Sequence, residues 1–64
     1  MVKINGQEFD CAGQSISKML EEQGYNAPKV AVEVNFSIVP KANFEEYILK
    51  DGDSVEVVHF VGGG

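Results

Sequence analysis

Apolar and polar residues alternate along the opening stretch of the chain. Val2-Lys3-Ile4 and Gln7-Glu8-Phe9-Asp10 flank Asn5-Gly6, and Asn-Gly between short alternating runs is a strong hairpin signal. A two-residue turn pairs Ile4 with Gln7 and Val2 with Phe9. Val2, Ile4, Phe9 and Cys11 then share one face, and Lys3 stands opposite Glu8 on the other as an exposed charge pair. The pattern changes at Ser15, a good N-cap residue, because Ile16, Met19 and Leu20 follow at the i, i+3, i+4 spacing of a helical stripe. Gly24 supplies a C′ stop. A helix of about nine residues is too short to be stable alone, so it needs a sheet to lie on.

Ala27-Pro28 restarts the chain in an extended form. Val30, Val32 and Val34 then alternate with Ala31, Glu33 and Asn35, the pattern of a strand with one buried face. Asn35-Phe36 reads as a turn into a short strand, Ser37-Ile38-Val39, which Pro40 closes. Phe44, Tyr47 and Ile48 have the spacing of one helical or 3₁₀ turn between Lys41 and Lys50. Asp51-Gly52-Asp53 is turn chemistry. Ser54 to Val61 is the last strand, rich in β-branched residues and therefore expected in the middle of the sheet. The order predicts an α+β domain, a small mixed sheet crossed by one main helix, with at least one pairing that needs a long connection.

Sixty-four residues, 44% of them apolar, suffice for one small domain near the lower limit for a single core, which excludes a large multilayer enzyme. The net charge is -5 with no arginine. Phosphate binding needs concentrated positive charge, so nucleic acid is an unsuitable partner and a basic or mixed protein surface a suitable one. A lone cysteine cannot form an internal disulfide, so an oxidising compartment is not required and the cytoplasm is the expected location. No apolar run approaches the roughly 20 residues of a membrane span, and Met1 to Gly6 lacks a signal-peptide core, so no membrane association is expected.

Three consecutive glycines, Gly62-Gly63-Gly64, follow the last strand. They have maximal backbone freedom and nothing to pack. One reading is a frayed end. The other is a side-chain-free lead that carries the Gly64 carboxylate into a narrow site on another protein, a reach of about 10 Å for three extended residues. A carboxylate is a poor acyl donor until activated, and the chain has no phosphate-binding glycine loop of its own, so activation falls to a partner. Cys11 fits a small core residue better than a nucleophile. His59 has no partner at ligand or triad spacing, and its burial stays open. Asp51-Gly52-Asp53 offers too few oxygens for calcium, so no metal site is expected. Glu21-Glu22, Glu45-Glu46 and Glu56 are solvated faces or a field that steers a cationic partner. Val58 and Phe60 face away from Val55 and Val57 beside the tail. They are core if both faces of the sheet are covered, and a partner-binding patch if only one is.

Taken in order, Ile4-Asn5-Gly6, Ser15 to Leu20, Val34-Asn35, Ile38-Val39-Pro40, Asp51-Gly52-Asp53, Phe60-Val61 and Gly62-Gly63-Gly64 resemble the ThiS family. These are the small ubiquitin-like sulfur carriers of thiamin biosynthesis, and the resemblance covers nearly the whole chain. It implies a β-grasp domain over residues 1–61 and a flexible C-terminal glycine tail over residues 62–64. It also implies that a ThiF-type enzyme adenylates the Gly64 carboxylate with ATP, that a sulfur donor system converts it to a thiocarboxylate, and that a ThiG-type thiazole synthase receives the sulfur. Gly62, Gly63, Val58 and Phe60 would then meet the partner enzymes, and the chain would be a co-substrate with no cofactor bound. A molybdopterin-type carrier shares the fold and the glycine end, and a β-grasp binding or modifier domain is the alternative from another class. Lys41 stands where the family often has arginine after Val-Pro, which keeps the charge but not the planar fork.

Overall fold

Two tight turns and one central strand organise the chain. A computed structural model describes residues 1–60. Asn5 and Gly6 adopt φ of 49° and 86°, the doubly left-handed geometry of a type I′ turn, which matches the twist of paired strands. The turn joins β1 (Val2–Ile4) to β2 (Gln7–Phe9) in the expected register, Val2 with Phe9 and Ile4 with Gln7. Lys3 and Glu8 are cross-strand partners, but their side chains do not reach ion-pair distance.

Helix α1 (Ile16–Glu22) is seven residues long, two shorter than its pattern suggests. The Ser15 hydroxyl accepts a hydrogen bond from the Lys18 N–H at 3.1 Å, which satisfies one of the orphan donors of the first turn. At the other end Gly24, at φ 81°, donates to the Glu21 carbonyl at 3.2 Å and Tyr25 donates to Leu20 at 2.9 Å. That pair of bonds is a Schellman motif, and it needs the left-handed residue that glycine provides. Ala27-Pro28 does not restart the chain in an extended form. Ala27–Lys29 is a 3₁₀ turn, with the Lys29 N–H bonded to the Asn26 carbonyl at 2.8 Å, because proline's fixed φ and absent N–H suit the first positions of such a turn.

Strands β3 (Val30–Val34) and β4 (Ser37–Val39) form a second hairpin. Its turn residues, Asn35 and Phe36, have φ of 52° and 70°. This repeats the geometry of Asn5-Gly6 with a phenylalanine in the glycine's place, a conformation that costs an L-residue roughly 1–2 kcal/mol. A 3₁₀ turn at Lys41–Asn43 follows. Beyond it Phe44 is buried and Tyr47 half-buried, whereas Ile48 is 47% exposed and Leu49 only 1% exposed. The helical spacing expected to bury Ile48 lapses after the short turn, and the Leu49 N–H instead bonds the Gln14 carbonyl at 2.8 Å, which brings Leu49 under the helix.

Strand β5 (Ser54–His59) lies in the middle of the sheet, whose order is β2-β1-β5-β3-β4. It runs parallel to β1 and antiparallel to β3, so the long connection required between β1 and β5 contains α1 and the second hairpin. Val2, Ile4, Val30, Val32, Val34, Val55 and Val57 point from the sheet onto Ile16, Met19 and Leu20 of α1, with Phe44 and Leu49 completing the core. Each such side chain contributes about 1.5–3 kcal/mol on burial.

Both turn asparagines bind β5. The Asn5 Oδ1 accepts from the Val57 N–H at 2.8 Å and its Nδ2 donates to the Val57 carbonyl at 3.2 Å. The Asn35 Oδ1 accepts from the Ser54 N–H at 3.0 Å, while the Asn35 N–H donates to the Ser54 carbonyl at 2.7 Å. Asn5→Gly preserves the turn geometry and removes only the carboxamide, leaving the part-buried Val57 backbone groups unpaired. It is expected to cost about 1–3 kcal/mol in urea unfolding, with the far-UV spectrum unchanged.

Candidate functional site

The helix covers one face of the sheet, and the side chains that alternate with the core residues stand on the other. Along β5 these are Ser54, Glu56 and Val58, with Phe60 continuing the same parity, and along β3 they are Ala31 and Glu33. The register sets Glu33 against Glu56 and against Ile38 of β4, and Ala31 against Val58. No element lies over this face among the described residues. Val58 and Phe60 are each 56% exposed and Ile38 is 71% exposed, so the reading of Val58 and Phe60 as core fails and they stand as an exposed apolar patch. Phe36, at the tip of the β3–β4 turn, is 90% exposed.

The sequence pattern did not disclose Ile38 as part of this surface. In a three-residue strand bounded by a turn and a proline, only the register against β3 decides which side chains face out, and Val39 rather than Ile38 faces the core. It also did not disclose Lys41, whose Nζ lies 4.5 Å from the centroid of the Phe60 ring. That cation–π contact is worth about 0.5–1 kcal/mol at an exposed site, and it fixes a positive charge where β5 ends. The Phe60 N–H donates to the Lys29 carbonyl at 2.9 Å, which extends the ladder with β3 one step past the strand. The last described residue therefore sits directly beside the apolar patch. Val61 and the three residues proposed to carry the chemistry, Gly62, Gly63 and Gly64, lie outside the described residues.

The other candidates from the sequence sit apart from this surface. His59 keeps the parity of Val55 and Val57 but is exposed, and its ring lies against Tyr25 with centroids 5.6 Å apart and planes tilted by 42°. Cys11 is buried in the core, and burial, with smaller contributions from the Asp10 and Glu22 carboxylates, raises its thiol above the usual range. Asp53 is used in its own turn, accepting from the Lys50 N–H at 2.8 Å and from the Asn35 side chain at 3.0 Å. A shallow groove of about 410 Å³ lies between Ser17, Pro28, Lys41 and Glu45, with no histidine or cysteine on its walls. No group of three or more His, Cys, Asp and Glu side chains suited to a metal occurs among the described residues. No helix among them is long and apolar enough to cross a membrane. What the arrangement offers is an open, partly apolar face that reaches Phe60, the last described residue.

Comparison with known proteins adds a family. The model of the ThiS family matches residues 2–64, a span that includes the three glycines. The chain is 36% identical over 64 residues to the sulfur carrier protein ThiS of Thermus thermophilus, covering 100% of both chains. It is 44% identical over 62 residues to a thiazole synthase of Paramagnetospirillum magneticum; the match takes in 95% of this chain but only 19% of that protein's length. Among solved structures, the thiamine biosynthesis protein (ThiS) of Geobacter metallireducens superposes with a TM-score of 0.81 at 31% identity, covering 98% of this chain and 97% of that one.

The burial of Cys11 sets a reactivity. In the native protein the thiol is expected to react with an aromatic disulfide reagent at neutral pH far more slowly than in denaturant, because it is both shielded and held protonated. Absorbance of the released thiolate with and without guanidinium checks this.

Proposed function

Because the chain belongs to the ThiS family, we propose that it is a sulfur carrier of thiamin biosynthesis whose reacting group is the carboxylate of Gly64. The observation that carries the reading is the family match through residues 2–64, on a fold that leads β5 past an open docking face into the glycines. The solved structure named above is described as a thiamine biosynthesis protein and one sequence relative as a thiazole synthase, which favours that branch over molybdopterin synthesis.

The chemistry follows from the weakness of a carboxylate as an acyl donor. A carboxylate oxygen of Gly64 attacks the α-phosphorus of ATP on a ThiF-type enzyme, pyrophosphate leaves, and an acyl adenylate forms. Sulfide supplied by the donor system then attacks the acyl carbon, AMP departs with the bonding electrons, and loss of the sulfur-bound proton leaves a thiocarboxylate. Its sulfur is a better nucleophile than oxygen, and attachment to a protein keeps it from diffusing away as sulfide. A ThiG-type thiazole synthase accepts it. The chain is thus a co-substrate. Its catalytic partners hold the nucleotide, and it binds no cofactor itself. ATP and reduced thiols are both plentiful in the cytoplasm, where we place it.

Each part of the chain has one task in this scheme. Gly62 and Gly63 have no side chains to clash with a narrow channel, so they allow the reacting carbon to travel ahead of the domain. Val58 and Phe60 dock the body against the enzyme so that the tail's reach is spent inside the channel. Lys41 holds Phe60 in place on that surface.

Intact-mass measurement after incubation with ATP, the adenylating enzyme and a sulfur source tests the reading. A gain equal to one oxygen replaced by sulfur is expected, and a chain lacking Gly64 is expected to show none. An unchanged mass, when the same enzyme modifies a known carrier, would count against it. Val58→Asp is expected to leave thermal stability within about 0.5 kcal/mol, as exposed substitutions do, while slowing thiocarboxylate formation at least about tenfold through lost docking.

A further inference from the structure

Two features of the open face work against the stability of the free chain. Glu33 and Glu56 are direct cross-strand partners, and like charges in that relation repel across Cβ atoms about 4.5–5.5 Å apart. Neither carboxylate has an ion-pair partner among the described residues. The second feature is Phe36, held at φ 70° with 90% of its surface exposed, although the equivalent position of the first hairpin is a glycine. A left-handed, solvated phenylalanine gains nothing for the isolated fold. Both features lie on or beside the face that carries Ile38 and Val58, and both lie toward the end of the sheet away from Phe60. The apolar patch next to the tail therefore continues into an acidic pair and ends in an aromatic tip.

We propose that this face is read by a protein surface that places a cationic side chain, arginine by preference, between Glu33 and Glu56, with apolar groups against Ile38 and Val58 and a pocket for Phe36. The inference rests on the carrier reading, since a chain handed between enzymes needs such a surface. Charge complementarity identifies the occupant. The chain has a net charge of -5 and no arginine, so a second copy would bring acid against acid, whereas a guanidinium presents a planar fork to two carboxylates at once. Its flat, weakly hydrated plane also suits a position flanked by the Ile38 and Val58 side chains. On docking, the repulsion between Glu33 and Glu56 becomes attraction to a shared cation. The exposed Phe36 ring becomes a buried anchor of the kind that dominates interface energetics. The footprint thus runs the length of β3, β4 and β5 and fixes the domain's orientation, where a patch limited to Val58 and Phe60 would leave it free to pivot about the tail.

The test exploits the conflict between stability and binding. Glu33→Gln, Glu56→Gln and Phe36→Gly each remove a destabilising feature, so each variant is expected to unfold at a urea midpoint equal to or above that of the parent. Dissociation constants are then measured for the purified adenylating enzyme and for the thiazole synthase, at low and high salt, with Glu46→Gln as a control outside the face. For at least one of the two enzymes each of the three variants is expected to bind at least about tenfold more weakly. The salt dependence of the two glutamate variants should also be shallower than the parent's, since a screened charge pair has been removed. Unchanged affinity in all three variants for both enzymes overturns the inference. Parallel mass measurement on the parent keeps the two ideas apart. A parent that acquires the thiocarboxylate while the variants bind normally overturns only the proposed footprint, and a parent that neither binds an enzyme nor acquires sulfur overturns both. A parent that binds, but whose mass never changes, together with weakened variants, upholds the footprint and removes the carrier reading.

Discussion

The backbone of β5 is the constraint on which the rest of the structure depends. Among the described residues it is the only strand with neighbours on both sides that each come from a different hairpin, and neither hairpin is long enough to satisfy it alone. On the β1 side the ladder proper ends at Val55. The Asn5 N–H then reaches the Val55 carbonyl at 2.9 Å, and the Asn5 carboxamide takes both backbone groups of Val57. On the β3 side the Asn35 side-chain oxygen accepts from the Ser54 N–H and the Asn35 backbone N–H donates to the Ser54 carbonyl, while the Lys29 carbonyl accepts from the Phe60 N–H. Buried backbone groups left unpaired would each cost on the order of 1–3 kcal/mol. The two turn asparagines therefore do more than permit left-handed turns. They stand in for strand residues that the short hairpins lack.

This arrangement lets a chain of 64 residues separate three tasks. One face of the sheet supplies the core, because α1 can cover only one. The other face is left open, and its apolar and acidic positions are held in fixed relation by the register of β3, β4 and β5. In the proposed function the third task falls to the glycines that follow β5 in the sequence: a carrier that visits more than one enzyme needs a reacting atom that moves independently of the surface by which it is recognised. The lone thiol is buried in the core, and the lone imidazole lies against Tyr25.

Much of this was legible in the residues, and the exceptions have physical causes. Asn5-Gly6, the alternating valines of β3 and the Ser15 cap are local signals, and each produced the element expected of it. The central place of β5 followed from its β-branched content. Three expectations failed where tertiary contacts overrode local pattern. Ile48 had helical spacing but yielded its core position to Leu49, Ala27-Pro28 opened a 3₁₀ turn instead of an extended segment, and Lys3 and Glu8 paired by register without an ion pair. The open face was only half legible. Val58 and Phe60 follow from parity along one strand, whereas Ile38, Lys41 and the Glu33–Glu56 pair exist as neighbours only once three strands and a turn are in register. The glycines were the clearest signal in the sequence, and they lie beyond the described residues.

The central claim is that the domain functions through the carbon at the end of its glycine tail and not through binding alone. Its most direct test is complementation of cells that lack their own copy and require added thiazole, using the full chain and a chain without Gly63 and Gly64, with the fold of both checked by amide NMR. The account requires that the full chain restore growth without thiazole and that the shortened chain, folded and abundant, fail to do so. Growth restored equally by the shortened chain would contradict it and would make the domain a binding module.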